Sequence, residues 1–365
     1  MLFLYIALAL ILLLVAYINF HPQFGAKASK EHPSRYHESD AWDGKKFVNL
    51  QHTSMNIGIG DIPGLLRKQF TAPERNPSSP LPIKPFDAAA FEANHDKPKF
   101  VWYGHSVLLL QINGLNFLID PMLGPNAAPV APFPVKRFSK GSLDIIDTLP
   151  PLDAILLTHD HYDHLDYASI KKLKSKTDTW LVALGVGRHL EKWGVSGAQI
   201  TEFDWWDNID FQEISLTFTP SRHFSGRGLG DRAKSLWGGW VFVTTAHKIY
   251  WSGDGGHGTH FQEIGKRFGS FDWAFLECGQ YNPLWHQIHM LPDEAAQAGV
   301  DVQAAVSIPV HWGGFSLALH TWYDPVEAFV AESQKLGLSI VLPQIGEVVE
   351  MGEDYPGKAW WEEHK

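Results

Sequence analysis

The chain contains very little cysteine and has a deficit of basic residues. Cys278 is the one cysteine among 365 residues, so no disulfide can form within the chain and a zinc module built from several cysteines is excluded. Lys and Arg number 30 against 40 Asp and Glu, which gives a formal net charge of −10. Non-specific nucleic-acid binding needs clustered basic side chains, so we expect no nucleic-acid partner.

The rest of the composition is that of a globular protein. Hydrophobic residues make up 45% of the chain and aromatic residues 13%, which excludes a wholly disordered protein. The length allows one large domain or two ordinary ones. Two features are unusual: the chain contains 19 histidines, and it begins with a long apolar run.

The apolar run from Leu2 to Ile18 contains no charge, proline or glycine. As a helix it would span roughly 25 Å, the short end of a bilayer crossing. A buried core helix and a cleaved signal peptide are the alternatives, and Ala26-Lys27-Ala28 offers a small-x-small cleavage site. No Lys or Arg precedes the run, which is also longer than a typical signal-peptide core. We therefore predict that residues 1–20 form a transmembrane anchor.

The basic residues near this segment all follow it in the chain. They are Lys27, Lys30, Arg35, Lys45 and Lys46. The positive-inside rule then places the body of the protein in the cytoplasm. The expected localisation is the membrane, with a single N-terminal span and a cytoplasmic domain.

The rest of the chain divides into three parts by its composition and hydrophobic pattern. Residues 21–97 are polar and rich in proline, and we predict a lead-in that packs on the main domain, with a short helix near Ile62–Gln69. From residue 98 to 350, short β-branched and aromatic runs alternate with helical patterns, which predicts one α/β domain. Asn113-Gly114 between two apolar runs predicts a hairpin. Residues 351–365 are a C-terminal tail.

The densest chemical signal is Thr158-His159-Asp160-His161-Tyr162-Asp163-His164, directly after the apolar run Ala154–Leu157. So much polarity cannot continue a buried strand. His159 and His161 lie two residues apart, so their imidazoles can converge on one ion, while Asp163 and His164 turn toward a second. Imidazole and carboxylate ligands suit Zn, Mn or Fe. A histidine-rich surface loop is the alternative, and it does not explain the spacing.

Further ligand candidates follow other predicted strands. His223 comes after Ile214–Thr219, Asp254 after Lys248–Trp251, and His311 after Ala305–Val310. Side chains at the ends of neighbouring strands converge at one edge of a sheet. A single histidine in such a position is usually a core or surface residue, but together with the 158–164 cluster these residues predict a metal site.

HxHxDH followed by a His, an Asp and a His in this order resembles the metallo-β-lactamase superfamily. The resemblance implies an αββα sandwich with two zinc ions at one edge. By analogy, one ion is held by His159, His161 and His223, the other by Asp163, His164 and His311, and both by Asp254. Lactamases of this fold usually carry a cysteine near the bridge, and Cys278 is not in the matching position. This argues against β-lactam hydrolysis.

A closer resemblance runs from about Phe100 to Phe329 and includes segments without ligands. WYGHSVLLLQINGLNFLIDPML, LPPLDAILLTHDHYDHLDY, EFDWWD, FTPSRHFSGRG, HMLPDEAAQAGVDVQ and VHWGGFSLA look like the N-acylphosphatidylethanolamine-hydrolysing phospholipase D family. This implies a phosphodiesterase that releases an N-acylethanolamine and a phosphatidic acid. The implied partners are a phospholipid and the bilayer, and an oligomer is possible. The proline-rich residues between Pro121 and Phe138 match less well, and we expect them to shape the substrate entrance.

The resemblance also suggests roles for individual side chains. Asp163 would hold or deprotonate the nucleophile, and Asp254 would bridge the metals. His289 is a candidate contact for substrate or leaving group, with a helix-entry role as the alternative. Tyr162 is a candidate hydrogen-bond donor to the phosphate, with simple packing as the alternative. His105 and Asp120 would orient ligand imidazoles or serve a purely structural role.

Other functions remain open on the same motif. A metal-dependent lactonase would use the same short motifs, but it should be soluble. A nuclease should carry a basic groove, which the charge opposes. A structural membrane protein that only binds metal is a further alternative, but it would not need the complete set of ligands for two ions that this sequence contains.

Overall fold

The computed structural model describes residues 1–28, 33–128, 134–228, 230–353, 355 and 357–365. Lys30, one of the basic residues behind the orientation prediction, lies outside these ranges. So do residues 129–133 of the proline-rich segment that we expect at the substrate entrance.

Ten α-helices, five short 3-10 helices and fourteen strands are found in the described residues. The α-helices are α1 Leu2–Phe20, α2 Ser34–Glu38, α3 Ile62–Thr71, α4 Ala88–Glu92, α5 Ile145–Thr148, α6 Tyr167–Leu173, α7 Gly187–Lys192, α8 Thr259–Phe268, α9 Pro292–Asp301 and α10 Asp324–Leu336. The strands are β1 Lys99–Trp102, β2 Leu108–Ile112, β3 Leu115–Ile119, β4 Ala154–Leu157, β5 Trp180–Ala183, β6 Ile200–Phe203, β7 Asn208–Phe211, β8 Ile214–Thr219, β9 Gly239–Val243, β10 Lys248–Trp251, β11 Phe271–Glu277, β12 Ala304–Val310, β13 Ser339–Ile340 and β14 Val348–Glu350.

Helix α1 is apolar and mostly exposed, and its last turn contacts the residues that follow it. Its residues Phe3–Phe20 carry no charge and have a mean hydropathy of 2.5, and none of them is buried in the structure. By length and composition the helix can cross a membrane. A signal sequence near an N-terminus passes the same test, so α1 is a candidate anchor or signal sequence.

The strands form two mixed seven-stranded sheets. The first has the order β14-β1-β2-β3-β4-β5-β6, with parallel pairing from β3 to β6. The second has the order β13-β12-β11-β10-β9-β8-β7, with parallel pairing from β10 to β13. Asn113 and Gly114 form the tight turn of the β2–β3 hairpin, both at positive φ (50° and 74°). The predicted hairpin is thus confirmed.

Aromatic side chains fill the space between the two sheets. The rings of Phe100 on β1 and Phe275 on β11 meet edge to face, with their centroids 4.9 Å apart. The rings of Phe117 on β3 and Phe242 on β9 do the same, with a centroid distance of 5.4 Å. Both pairs join one sheet to the other, so the sheets pack face to face. Helices α9 and α10 pack against each other, and α9 also packs on β11 and β12. This arrangement confirms the predicted α/β sandwich.

Segments on both sides of the predicted domain contribute to its core. Phe47 and Phe91 are buried, and both precede residue 98. At the other end, β14 pairs with β1, and Trp360 stacks on Trp312 with ring centroids 5.5 Å apart. The boundaries at residues 20, 97 and 350 stay predictions.

The residues that follow α1 are docked on the body. The Pro22 carbonyl accepts a hydrogen bond from Trp193 Nε1 at 2.8 Å, and Gln23 Nε2 donates to Asp166 Oδ1 at 2.8 Å. The Ala26 amide donates to Nδ1 of the buried His189 at 3.1 Å. The small-x-small segment considered as a cleavage site therefore begins at a residue in contact with the body.

Candidate metal centre

Side chains from both sheets meet where their strands end. His159, His161, Asp163 and His164 follow β4, His223 follows β8, Asp254 follows β10, and His311 follows β12. These are the residues for which the sequence predicts metal binding. The structure brings all of them together at one edge of the sandwich, in groups whose ligand atoms lie within 4.8 Å of one another.

Three imidazoles form the first group. His161 Nδ1 lies 3.0 Å from His159 Nε2 and 3.1 Å from His223 Nε2. Burial lowers the pKa of His161 to about 4, and it lowers those of His159 and His223 well below the usual value. All three rings are therefore neutral at pH 7, which is the form that binds metals.

Asp163, His164 and His311 form the second group. Asp163 Oδ2 lies 3.3 Å from His311 Nε2 and 3.8 Å from His164 Nε2. His311 has a positive φ of 67°, which turns its side chain away from the run of β12. A left-handed backbone at a histidine costs free energy, so the surrounding packing must hold it in place.

Asp254 lies between the two groups. Its Oδ2 is 3.0 Å from His164 Nε2 and 3.1 Å from His311 Nε2 in the second group. In the first group it is 3.8 Å from His159 Nε2 and 3.9 Å from His223 Nε2. One oxygen thus faces nitrogens of both groups, as a bridging ligand must.

A hydrogen-bond relay determines which nitrogen of His159 and His164 carries a proton. Thr158 Oγ1 donates to Asp120 Oδ2 at 2.7 Å, so the hydroxyl can only accept from His159 Nδ1, 2.9 Å away. Asp120 Oδ2 also accepts from His164 Nδ1 at 2.9 Å. In the neutral rings, Nε2 of both histidines is left with a lone pair that faces the centre. Asp120 therefore orients two candidate ligands, as the sequence suggests.

His223 is oriented by the backbone. Its Nδ1 lies 2.8 Å from the carbonyl oxygen of Ile288, which can only accept, so Nδ1 carries the proton. The lone pair on Nε2 then faces His161. The side chain of Asn49, from the lead-in, holds the backbone of His223 on both sides: Nδ2 donates to its carbonyl at 2.7 Å and Oδ1 accepts from its amide at 3.0 Å.

The donor set fits divalent cations. Asp254 Oδ2 is buried and makes no hydrogen bond within the described residues, despite two imidazole nitrogens about 3 Å away. Burial raises the pKa of Asp254, but the charges of His164 and His311 outweigh it and hold the pKa well below the usual value. Burial lowers the pKa of His164 and His311, but the charge of Asp254 outweighs it and raises both pKa values, so protons on these imidazoles supply the positive charge that the buried carboxylate needs. Divalent cations bound to the same atoms would take the place of these protons.

His105 lies behind the second group. Its Nε2 is 2.9 Å from Asp163 Oδ2, and its ring packs on His311 with centroids 4.1 Å apart. The His105 carbonyl accepts from the His311 amide at 2.9 Å. His105 thus positions one candidate carboxylate and one candidate imidazole, the orienting role that the sequence suggests.

Glu277, the last residue of β11, is a functional candidate that sequence reasoning missed. It is fully buried, and its Oε1 lies 2.6 Å from His289 Nδ1. Burial raises the pKa of Glu277, and the charge of His289 opposes this rise. The His289 ring is nearly parallel to that of His311, with centroids 5.2 Å apart. The signal was available, because Glu277 follows the same strand-end rule as Asp254 and His311.

Tyr162 points away from the two groups. Its hydroxyl donates to the carbonyl of Arg227, and the Arg227 guanidinium lies 4.0 Å above its ring. Phe24, from the docked segment after α1, contacts the ring edge to face at 6.2 Å. The structure therefore favours the packing alternative for Tyr162 over hydrogen bonding to a phosphate, because the hydroxyl proton is already used.

Known proteins place this fold and site in a family. The sequence profile of the beta-lactamase superfamily domain matches residues 115–312, more than half of the chain. The chain belongs to the metallo-β-lactamase superfamily. Within it, N-acyl-phosphatidylethanolamine-hydrolyzing phospholipase D 1 of Caenorhabditis elegans is 31% identical over 270 residues, which are 69% of this chain and 75% of that protein. The membership predicted from HxHxDH and the longer segments is thereby confirmed.

One further sequence relative and one solved structure are also similar to this chain. An uncharacterized protein of Mycobacterium tuberculosis (strain H37Rv) is 36% identical over 321 residues, covering 86% of this chain and 85% of its own. Among solved structures, the metallo hydrolase Igni18 of Ignicoccus hospitalis superposes with a TM-score of 0.55 at 19% identity, covering 71% of this chain and 100% of its own. The latter similarity supports the fold alone. Together with the clustered donors, membership of the superfamily makes the chain a metal-dependent hydrolase.

Proposed function

We propose that the chain is a membrane-anchored binuclear zinc phosphodiesterase. It would hydrolyse N-acylphosphatidylethanolamine-like phospholipids to an N-acylethanolamine and a phosphatidic acid. The observation that carries the proposal is the position of Asp254, whose Oδ2 lies within 3.9 Å of nitrogens from both groups of ligands. The similarity to the C. elegans phospholipase supplies the substrate class.

The proposed ligands divide as the two groups do. His159, His161 and His223 would hold one ion, Asp163, His164 and His311 the other, and Asp254 both. Two divalent cations in these positions would supply Lewis acidity, polarising a phosphoryl oxygen and lowering the pKa of a bound water. Imidazole and carboxylate donors without a thiolate suit zinc, although they also suit manganese and iron.

The remaining steps fall to the side chains of the chain itself. Asp163 Oδ2 accepts from His105 Nε2, so its carboxylate is held on the side of the second group and can receive a proton from the attacking water. The oxygen of that water joins the phosphorus as the bond to the ethanolamine oxygen breaks. The departing oxygen then needs a proton.

His289 is the candidate source of that proton. Its Nδ1 is engaged by Glu277, and its side chain retains 15% of its exposure beside the ligand His311. A donor in this position can contact the leaving oxygen without contacting a metal ion.

The N-terminal helix would keep the enzyme near its substrate. The net charge of −10 repels anionic lipid surfaces, so binding by charge alone would be weak. An apolar helix that spans the bilayer does not depend on charge. The docked residues after α1 would then hold the metal loop close to the membrane surface. The positive-inside rule supports a cytoplasmic position of the domain.

A substrate panel read by mass spectrometry tests the proposal. The zinc-loaded protein is incubated separately with N-acylphosphatidylethanolamine, phosphatidylethanolamine, a nucleotide diester and a lactone. We expect N-acylethanolamine and phosphatidic acid from the first lipid. Consumption of the lactone alone would instead favour the metal-dependent lactonase.

A further inference from the structure

We propose that Glu277 is a positioning residue, which holds His289 through Nδ1 and so presents Nε2 to the phosphodiester. The inference deepens the proposed function and rests on it for the identity of the substrate. The hydrogen bond between Glu277 and His289 can be tested without any substrate.

The carboxylate of Glu277 has two partners that fix its orientation. Oε1 lies 2.6 Å from His289 Nδ1, and Oε2 accepts a hydrogen bond from the Gly255 amide. Gly255 directly follows the bridging candidate Asp254. The backbone of Glu277 is also held in place, because its amide N–H donates to Ser252 Oγ at 3.1 Å. The loop that follows β10 thus holds the backbone and one carboxylate oxygen of Glu277 independently of His289.

A charge-assisted hydrogen bond to a fixed carboxylate orients an imidazole strongly. With Nδ1 bound to Glu277, the free ring nitrogen is Nε2, which forms no hydrogen bond with any described residue. Two ligand imidazoles flank the ring, His223 at 5.0 Å and His311 at 5.2 Å between centroids. The ring is therefore confined between the two halves of the metal centre. In its imidazolium form it donates Nδ1–H to Glu277 and has a second proton, on Nε2, for the leaving oxygen.

A rival role for the same residues is metal binding. Asp254, Glu277, His289 and His311 offer ligand atoms within 4.8 Å of one another. Glu277 Oε1 and His289 Nδ1 lie 2.6 Å apart, a hydrogen-bond distance that is shorter than the 3.0 Å of the nearest proposed ligand pairs. The two roles also differ in outcome, because loss of a ligand lowers metal content and loss of a positioning residue does not.

The experiment is a double-mutant cycle on the full-length, zinc-loaded protein. Glu277→Gln, His289→Gln and the double variant are assayed with N-acylphosphatidylethanolamine and with bis(4-nitrophenyl) phosphate. We expect kcat for the lipid to fall roughly 10–100-fold in each single variant, with KM changed less than about threefold. In the His289→Gln background, Glu277→Gln should add less than about threefold, because the two residues act as one unit. The nitrophenyl ester should be affected less, since its leaving group needs no proton.

Two readouts are independent of turnover. In protein labelled with ¹⁵N-histidine, the wild type should show several deshielded imidazole protons, of which one should be lost in both single variants while the others remain. The zinc content should be the same in all variants. If Glu277→Gln fails to fold, the comparison of wild type with His289→Gln still tests the hydrogen bond, because His289 lies at a partly exposed position.

A matched control exists elsewhere in the fold. His257 Nε2 and Asp301 Oδ2 form another histidine–carboxylate pair at 2.9 Å, and neither residue belongs to a ligand group. Asp301→Asn should leave kcat unchanged. Additive effects in the cycle, zinc loss in Glu277→Gln, or an unaltered imidazole signal would each overturn the proposal. If neither the wild type nor any variant cleaves either ester, the proposed function fails. The NMR signal still tests whether Glu277 and His289 form a hydrogen bond.

Discussion

Asp120 and His164 share a buried hydrogen bond of 2.9 Å between Oδ2 and Nδ1. The same carboxylate receives the Thr158 hydroxyl and, through it, orients His159. A single side chain at the end of β3 therefore sets the tautomers of two candidate ligands that belong to different groups. Both halves of the metal centre depend on it.

Replacing Asp120 with Asn should weaken metal binding without removing a ligand. Asn has one acceptor oxygen in place of the two that now receive the Thr158 amide, the Thr158 hydroxyl and His164 Nδ1. Its NH2 group must therefore face at least one of these donors, and the imidazoles lose their fixed orientation. We expect zinc affinity to fall roughly 10–100-fold, measured by competition with a chelator. Asp153→Asn is the control, because Asp153 caps the Asn116 amide away from the site. Equal affinity in Asp120→Asn and wild type would rule out the orienting role.

Replacing Asp254 with Asn should remove the bridge between the two groups. The neutral amide cannot balance two cations, so we expect kcat to fall by more than about a hundredfold, beyond the usual cost of losing an outer partner. Turnover of N-acylphosphatidylethanolamine and the circular-dichroism spectrum are measured together. Asp272→Asn serves as control, since Asp272 lies 3.7 Å from His247, outside the ligand groups. Near-normal activity of Asp254→Asn would remove Asp254 from the site.

Two N-terminal deletions should separate anchoring from docking. Removing residues 2–20 should release the protein from membranes and leave its stability unchanged. Removing residues 2–28 also deletes the hydrogen bonds of Pro22, Gln23 and Ala26 to the body. Each contributes about 0.5–1.5 kcal/mol, so we expect a further fall in Tm of several degrees. Membrane fractionation and thermal unfolding are the measurements, and a protein that stays membrane-bound without residues 2–20 would contradict the anchor.

The docked segment should also make stability depend on pH. Burial, aided by the charge of Arg188, lowers the pKa of His189 from 6.5 to about 3, against the opposing Asp160. Between these values the unfolded chain binds the proton and the folded chain does not. Stability should therefore fall as pH decreases from 6.5 toward 3, by up to about 1.4 kcal/mol per pH unit from this residue.

The check is urea unfolding in the presence of chelator at several pH values. His189→Gln should flatten the slope between pH 6.5 and 3, because glutamine does not titrate. His95, whose side chain is 55% exposed, provides the control variant His95→Gln with an unchanged slope. The same slope in His189→Gln and wild type would show that His189 is not buried as a neutral ring.

Much of the fold follows from local patterns. The central strands are short apolar runs, and the Asn113-Gly114 turn demands a backbone that asparagine and glycine tolerate. Strands β6 and β7 were not predicted, because they lie at sheet edges and carry exposed polar residues such as Thr201 and Asn208. An edge strand buries only part of its surface, so its sequence lacks a continuous apolar run.

The candidate ligands were predictable because each follows a strand, and strand ends of one sheet edge converge. Glu277 also stands at a strand end, but its partner His289 lies in a later segment that only the folded chain brings to its carboxylate. The partner of Tyr162 was also beyond local patterns: Arg227 is distant in sequence, and only the folded chain brings its carbonyl to the hydroxyl. The docking of Gln23 on Asp166 has the same long-range origin.

The most direct test of the central claim is the number of metal ions per chain. The full-length protein, purified with zinc and freed of loosely bound ions, is weighed by native mass spectrometry and analysed for metal. The account predicts two zinc ions per chain, and loss of bound metal when His161 and His311 are both replaced by Ala. A wild-type protein that binds one ion or none under these conditions would contradict it.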